Sequence, residues 1–146
     1  MLNFGADRRD CPMDSVWGRC MIIAHGVDLV AIAETERLLG EPTGQFLTRC
    51  FTAREQTDIG TGTERAARLS SRFAVKEAVM KALGTGFNDG VGFLDIEVMT
   101  LVSGAPSLVL VGVAKARADA MGIARWLVSN SHEGGMAIGS VIALSD

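Results

Sequence analysis

The chain has no tyrosine, two tryptophans, two histidines, three prolines and three cysteines in 146 residues. So few aromatics leave little for stacking on bases, which argues against a nucleic-acid binder. Cys11, Cys20 and Cys50 are odd in number and form no C-x-x-C pair, which excludes a disulfide framework and a zinc knuckle. No run approaches the roughly 18 apolar residues of a membrane span. The longest, Met21 to Ala33, is broken by His25 and Asp28. Residues 1–20 balance three arginines against three aspartates and hold no apolar segment, unlike a secretory signal. A cytoplasmic protein with no membrane contact is expected. Neither charge dominates: 14 Lys+Arg against 17 Asp+Glu leave −3, which by itself speaks against polyanionic partners.

What is present is a chain 48% hydrophobic, too apolar for disorder. At this length one domain is expected, burying about two-thirds of its unfolded surface. Residues 1–20 read as an N-terminal extension and 21–146 as the domain. Met21–Ile32 reads as a buried strand entering a helix near Ala31–Leu39, which Gly40–Gly44 breaks. Thr52-Ala-Arg-Glu55 has the spacing of a capping box and starts a short helix. Glu64–Leu83 has no Gly or Pro and is the strongest helix signal in the chain. Gly84 and Gly86 end it, and an Asn88-Asp-Gly90 turn follows. Strand patterns occupy Leu94–Val102 and Ser107–Val113, joined by a turn at Ser103–Pro106. A helix is expected over Ala114–Gly122. Strands at Trp126–Asn130 and Met136–Leu144 then flank a polar turn, Ser131–Gly135. Hairpins mixed with helices point to an α+β fold with an antiparallel sheet.

At about 100° per residue, Arg65, Arg68, Arg72 and Lys76 fall within about 80° of one another on the long helix. Such a stripe is often only a solvated face, yet four like charges repel, and arginine offers paired donors to phosphate. Glu77 and Lys81 have the spacing of a simple i,i+4 ion pair. Asp28, between Val27 and Leu29, needs a structural partner or a cation, because a lone buried carboxylate is costly. Magnesium, which takes one or two carboxylates plus phosphates and water, would suit it. His25 reads as structural; His132, in the polar turn, is the more plausible functional histidine.

Five blocks, Gly26-Val-Asp28, Phe51-Thr-x-x-Glu55, Arg72 to Gly86, Gly104-Ala-Pro106 and Ser131-His-Glu133, occur in an order that resembles the holo-[acyl-carrier-protein] synthases. These are the short bacterial type of 4′-phosphopantetheinyl transferase. The resemblance implies that family's fold, an antiparallel sheet with one long helix packed on it. It implies transfer of phosphopantetheine from coenzyme A to a serine of an acyl carrier protein, in the service of fatty acid biosynthesis. By the same resemblance Asp28 and Glu77 would hold Mg2+, Lys81 would neutralise the diphosphate, and Glu77 would take the serine proton. Arg72, Lys76, Gly84, Thr85, Gly86, Ser131 and His132 would line coenzyme A, and the chain would form a homotrimer. Glu34, Gly44, Gln45 and Ala105 depart from the pattern at positions that bear on the carrier. A non-catalytic coenzyme A-binding module on the same scaffold is the alternative.

The resemblance also changes the reading of charge. Residues 45–81 carry seven basic and four acidic residues, a local +3. Segments 21–44 and 82–146 come to −3 each, so the total hides one basic region.

Overall fold

Antiparallel strands order this chain around a single long helix. The computed structural model describes residues 20–85 and 89–146, so the expected extension lies outside it except for Cys20. Strand β1 (Ile22–Ala31) leads into α1 (Ile32–Leu39), followed by α2 (Gln45–Cys50), α3 (Ala53–Ile59) and α4 (Arg65–Ala82). A 3-10 turn at Phe93–Asp95 precedes β2 (Ile96–Thr100) and β3 (Pro106–Leu110), then α5 (Gly112–Ala120), β4 (Arg125–Glu133) and β5 (Met136–Leu144). The main sheet has the order β1-β5-β4, all antiparallel, and β2-β3 form a separate hairpin.

The capping box forms as read: the Thr52 hydroxyl accepts from the Glu55 amide at 3.2 Å while Glu55 accepts from the Thr52 amide at 2.8 Å. Helix α2 carried no sequence signal. It is six residues long, too short for a periodic pattern, and is held by Phe46 and Leu47 packing on Phe51 and Leu69. Strand β2 is shorter than expected because Leu94 is drawn into the 3-10 turn. The expected Ser131–Gly135 turn is corrected. Strand β4 continues through Glu133, which pairs with Met136, and the turn narrows to Gly134-Gly135 at φ +57° and +76°. A two-residue hairpin needs two left-handed residues, and two glycines supply them.

Strand β5 alternates strictly. Ala137, Gly139, Val141 and Ala143 are buried against α4, while Met136 and Ile138 face outward. The inward residues are small because α4 lies close to the sheet. The larger core gathers Val75, Val79 and Leu83 of α4 with Ile96, Val98, Ala118 and Val141. A second cluster holds four of the phenylalanines, Phe46, Phe51, Phe73 and Phe93. Phe73 stacks on Phe93 at 5.0 Å, and Phe46 meets Phe51 edge-on at 5.6 Å.

Candidate active site

Two glycines bring the charged residues together. A Cβ on Gly26 would collide with the Ala78 carbonyl, and one on Gly139 would lie 2.5 Å from the Ala74 carbonyl carbon. With no side chains there, α4 rests on the backbones of β1 and β5. That contact sets Lys81 against the strand: its Nζ donates to Asp28 Oδ1 at 2.7 Å and to the Val27 carbonyl at 3.0 Å. Lys81 therefore pairs across the helix–sheet contact, not with Glu77. Glu77 is close enough to feel Asp28. Burial first, then the Asp28 carboxylate, push its pKa above the usual glutamate value, while Lys81 opposes the rise.

Asp28, Glu77 and Lys81 form one partly open cluster, with side-chain exposures of 17% for Asp28 and 54% for Lys81. Two carboxylates that disfavour each other's charge have the chemistry of a divalent cation site. Among the described residues no group of three or more His, Cys, Asp or Glu could hold a metal by itself. The donor set therefore fits a hard cation that fills its shell with water and substrate phosphates, as magnesium does.

The basic stripe of α4 is corrected. Lys76 is fully buried, its Nζ donating to Glu55 Oε2 at 2.7 Å, the Cys50 carbonyl at 2.7 Å and the Phe93 carbonyl at 3.0 Å. Desolvation pulls its pKa below the usual lysine value, against the opposing charge of Glu55. Such a lysine cannot reach a phosphate. Arg72 donates from Nη2 to Asp58 at 2.5 Å and to Thr100 Oγ1 at 2.7 Å, and from Nε to the Val98 carbonyl at 3.1 Å. Arg68 donates to the Ile59 and Thr61 carbonyls. These cations join α4 to α2, α3 and β2 instead of facing a cofactor. No pattern within α4 announces this, because the carboxylates that meet Lys76 and Arg72, Glu55 and Asp58, lie on another helix.

Ser131 and His132 point to opposite faces of the sheet, as neighbours in a strand must. Ser131 pairs with Ile138 on the outer face. His132 lies on the helix side, its Nε2 at 3.8 Å from Glu64 Oε2 at the N-terminus of α4. Along the helix Glu64 and Glu77 are separated by about 20 Å at 1.5 Å per residue. A single chain thus does not gather all the expected cofactor residues into one site. Gly84 (φ +66°) and Thr85 close α4 at its other end and border a cavity of about 450 Å³ with Asp89, Val91, Val113, Ala116 and Arg117. Gly86 lies outside the described residues.

His25 is exposed on the outer face of the sheet, not buried as its apolar neighbours suggested. That face is apolar, with Val27 44%, Leu29 60%, Leu127 56% and Ile138 40% exposed. Glu34, one of the departures from the family pattern, is held within its own helix. Its carboxylate accepts from Arg37 at 2.6 and 2.9 Å, and Glu41 accepts from the same guanidinium at 2.9 Å.

Known proteins share this chain's sequence pattern and its fold. Residues 24–133 match the family model described as the 4′-phosphopantetheinyl transferase superfamily. A holo-[acyl-carrier-protein] synthase of Anaeromyxobacter dehalogenans is 42% identical over 125 residues, spanning 84% of this chain and 95% of that protein. One from Halorhodospira halophila is 42% identical over 125 residues, covering 86% and 99%. Among solved structures, the Helicobacter pylori synthase in complex with coenzyme A superposes with a TM-score of 0.71 at 30% identity, over 82% of this chain and 98% of that one.

Proposed function

This chain belongs to the 4′-phosphopantetheinyl transferase superfamily, and from that membership we propose how its own residues carry out the transfer. It is a holo-[acyl-carrier-protein] synthase. It moves the 4′-phosphopantetheine of coenzyme A to a serine of an apo-acyl carrier protein and releases adenosine 3′,5′-bisphosphate. Carrier and coenzyme A are its partners, and a place in fatty acid biosynthesis follows from the product. No helix among the described residues is long and apolar enough to cross a membrane. We assign the reaction to the cytoplasm.

The observation that carries the site assignment is the cluster of Asp28, Glu77 and Lys81 on two elements locked by glycine contacts. Asp28 and Glu77 would hold Mg2+, which when bound neutralises the diphosphate and lowers the barrier to phosphoryl transfer. Lys81, anchored on the Val27 carbonyl, would set its ammonium beside the leaving phosphate oxygens. Glu77, whose pKa is raised by burial, is the group suited to accept the serine proton, directly or through a water. Gly84, Thr85 and Gly86 would pass along the cofactor, and His132 would meet a phosphate of its nucleotide end.

The chain acts as a homotrimer in this reading. The outer sheet face that carries Leu29, Leu127 and Ile138 is apolar enough to need a cover. Placing Ser131 on that face and His132 behind it suits a cofactor site completed by a neighbouring copy. Arg72 and Lys76 do not figure as cofactor contacts, because both are used internally.

Incubation with apo-carrier, coenzyme A and Mg2+ should add one phosphopantetheine to the carrier mass, and EDTA should stop it. Calorimetric binding of coenzyme A with no mass gain on any carrier from the same source would favour the non-catalytic module instead.

A further inference from the structure

Register places His25 of β1 in one row across the outer sheet face with Ile142 of β5 and Leu127 of β4. Val27, Leu29 and Ile138 continue that face, and all three are exposed. His25 is thus a titratable ring set among apolar side chains. Along the three strands the charged residues on this side are Arg125 and Glu133, which stand at opposite ends of β4. Cys20 lies beside the first, its Sγ 3.2 Å from Arg125 Nη2. Asp28 and His132 point to the helix side, where Glu77 and Lys81 of α4 meet the sheet. The carboxylates closest along the strands are Asp146, past the end of β5, and Glu133. They lie four and six residues from the His25 row, and among the described residues neither is within ion-pair distance of the ring.

The occupant this face fits is a second copy of the chain. Its middle is uncharged and the two ends of β4 carry opposite signs, so a copy can lay its own apolar centre here and set Arg125 and Glu133 against their opposites. Each copy brings its own His25, so association covers one ring per chain. A neutral imidazole tolerates apolar cover, whereas a protonated one buried without a partner is costly. Imidazoles ordinarily take up a proton near pH 6.5. Well above that value the face can be covered freely. Below it each separated chain holds a proton that covering must remove, so association is complete above about pH 6.5 and weakens as pH falls through it.

We propose that His25 makes the self-association of this chain pH-sensitive, copies meeting while the ring is neutral and parting once it is protonated. The inference rests on the homotrimer reading above and names its regulator. Because that reading completes the cofactor site with a neighbouring copy, acid would disperse the site together with the assembly. Sedimentation over a dilution series at pH 7.5 and pH 5.5, with circular dichroism to confirm the fold, tests it. At pH 5.5 about one ring in ten is neutral, so three chains lose about a thousandfold in their joint association constant. The concentration at which the parent is half assembled should therefore rise about thirtyfold, the square root of that loss. His25→Leu should assemble alike at both pH values. His25→Lys, charged at both, should assemble poorly even at pH 7.5. A parent midpoint that does not move, a His25→Leu midpoint that moves with the parent, or a His25→Lys midpoint equal to the parent's at pH 7.5 would overturn the switch. A one-chain mass for the parent at pH 7.5 at every concentration would instead remove the homotrimer reading beneath it.

Discussion

Gly139 faces the main chain of Val75 with no room for a side chain between them, so the central strand and α4 touch backbone to backbone. The contact is structural in kind and functional in effect. It sets the depth at which α4 lies on the sheet, and hence whether Lys81 reaches Asp28.

Gly139→Ala should therefore lose more than stability. Crowding a backbone contact typically costs about 1–3 kcal/mol, and here neither side can swing away. Urea melts should show a loss at or above that range. The folded fraction should also bind Mg2+ and coenzyme A more weakly, because α4 must lift from β1. A melt unchanged from the parent would refute the close-packing account.

Glu77→Gln should separate stability from activity. Burial and Asp28 raise the pKa of Glu77 in the folded chain, so the folded state holds that proton more tightly than the unfolded one. Its contribution to stability is complete below the usual glutamate value and is lost as pH rises through the raised one. Without metal, the glutamine variant should melt higher than the parent at pH 7, and the gap should shrink toward about pH 4. Added Mg2+ should raise the melting temperature of the parent and leave the variant unmoved. Phosphopantetheine transfer should be abolished in the variant.

Lys76→Met should behave in the opposite way. Removing one partner of a buried pair leaves Glu55 uncompensated, a loss of about 3–5 kcal/mol. Coenzyme A affinity of the protein that remains folded, measured by calorimetry at low temperature, should stay the same. A variant of normal stability with weakened cofactor binding would restore the lysine to the phosphate site.

Ile138→Arg places a charge in the middle of the outer sheet face. Sedimentation should move from a three-chain mass to a one-chain mass, with secondary structure retained by circular dichroism. An unchanged mass would show that this face is not where copies meet.

How much of this was legible beforehand differs from element to element. The capping box at Thr52, the long helix and the hairpin strands follow from local spacing, which a sequence displays directly. Asp28 stood out because a carboxylate in an apolar strand needs an explanation, and Lys81 supplies part of it. The stripe on α4 misled for the complementary reason. A helical wheel reports which residues share a face but not what that face meets. Glu55 and Asp58 approach from α3, and no period within α4 announces them. Gly139 was equally silent, since one small residue in a strand acquires meaning only from the helix laid over it.

The clasp of Glu34 and Glu41 on Arg37 bears on how fast a partner can arrive. One positive charge between two negative ones leaves a net negative charge, to which Glu36 of the same helix adds, and salt screens that field within about 8–10 Å. An acidic protein approaching α1 would be weakly repelled and not drawn in. Its encounter would run at or below the unsteered rate, about 10⁵–10⁶ M⁻¹s⁻¹, and added salt would not slow it. Recognition at that helix would then depend on the quality of short-range fit, and on how long the partner stays.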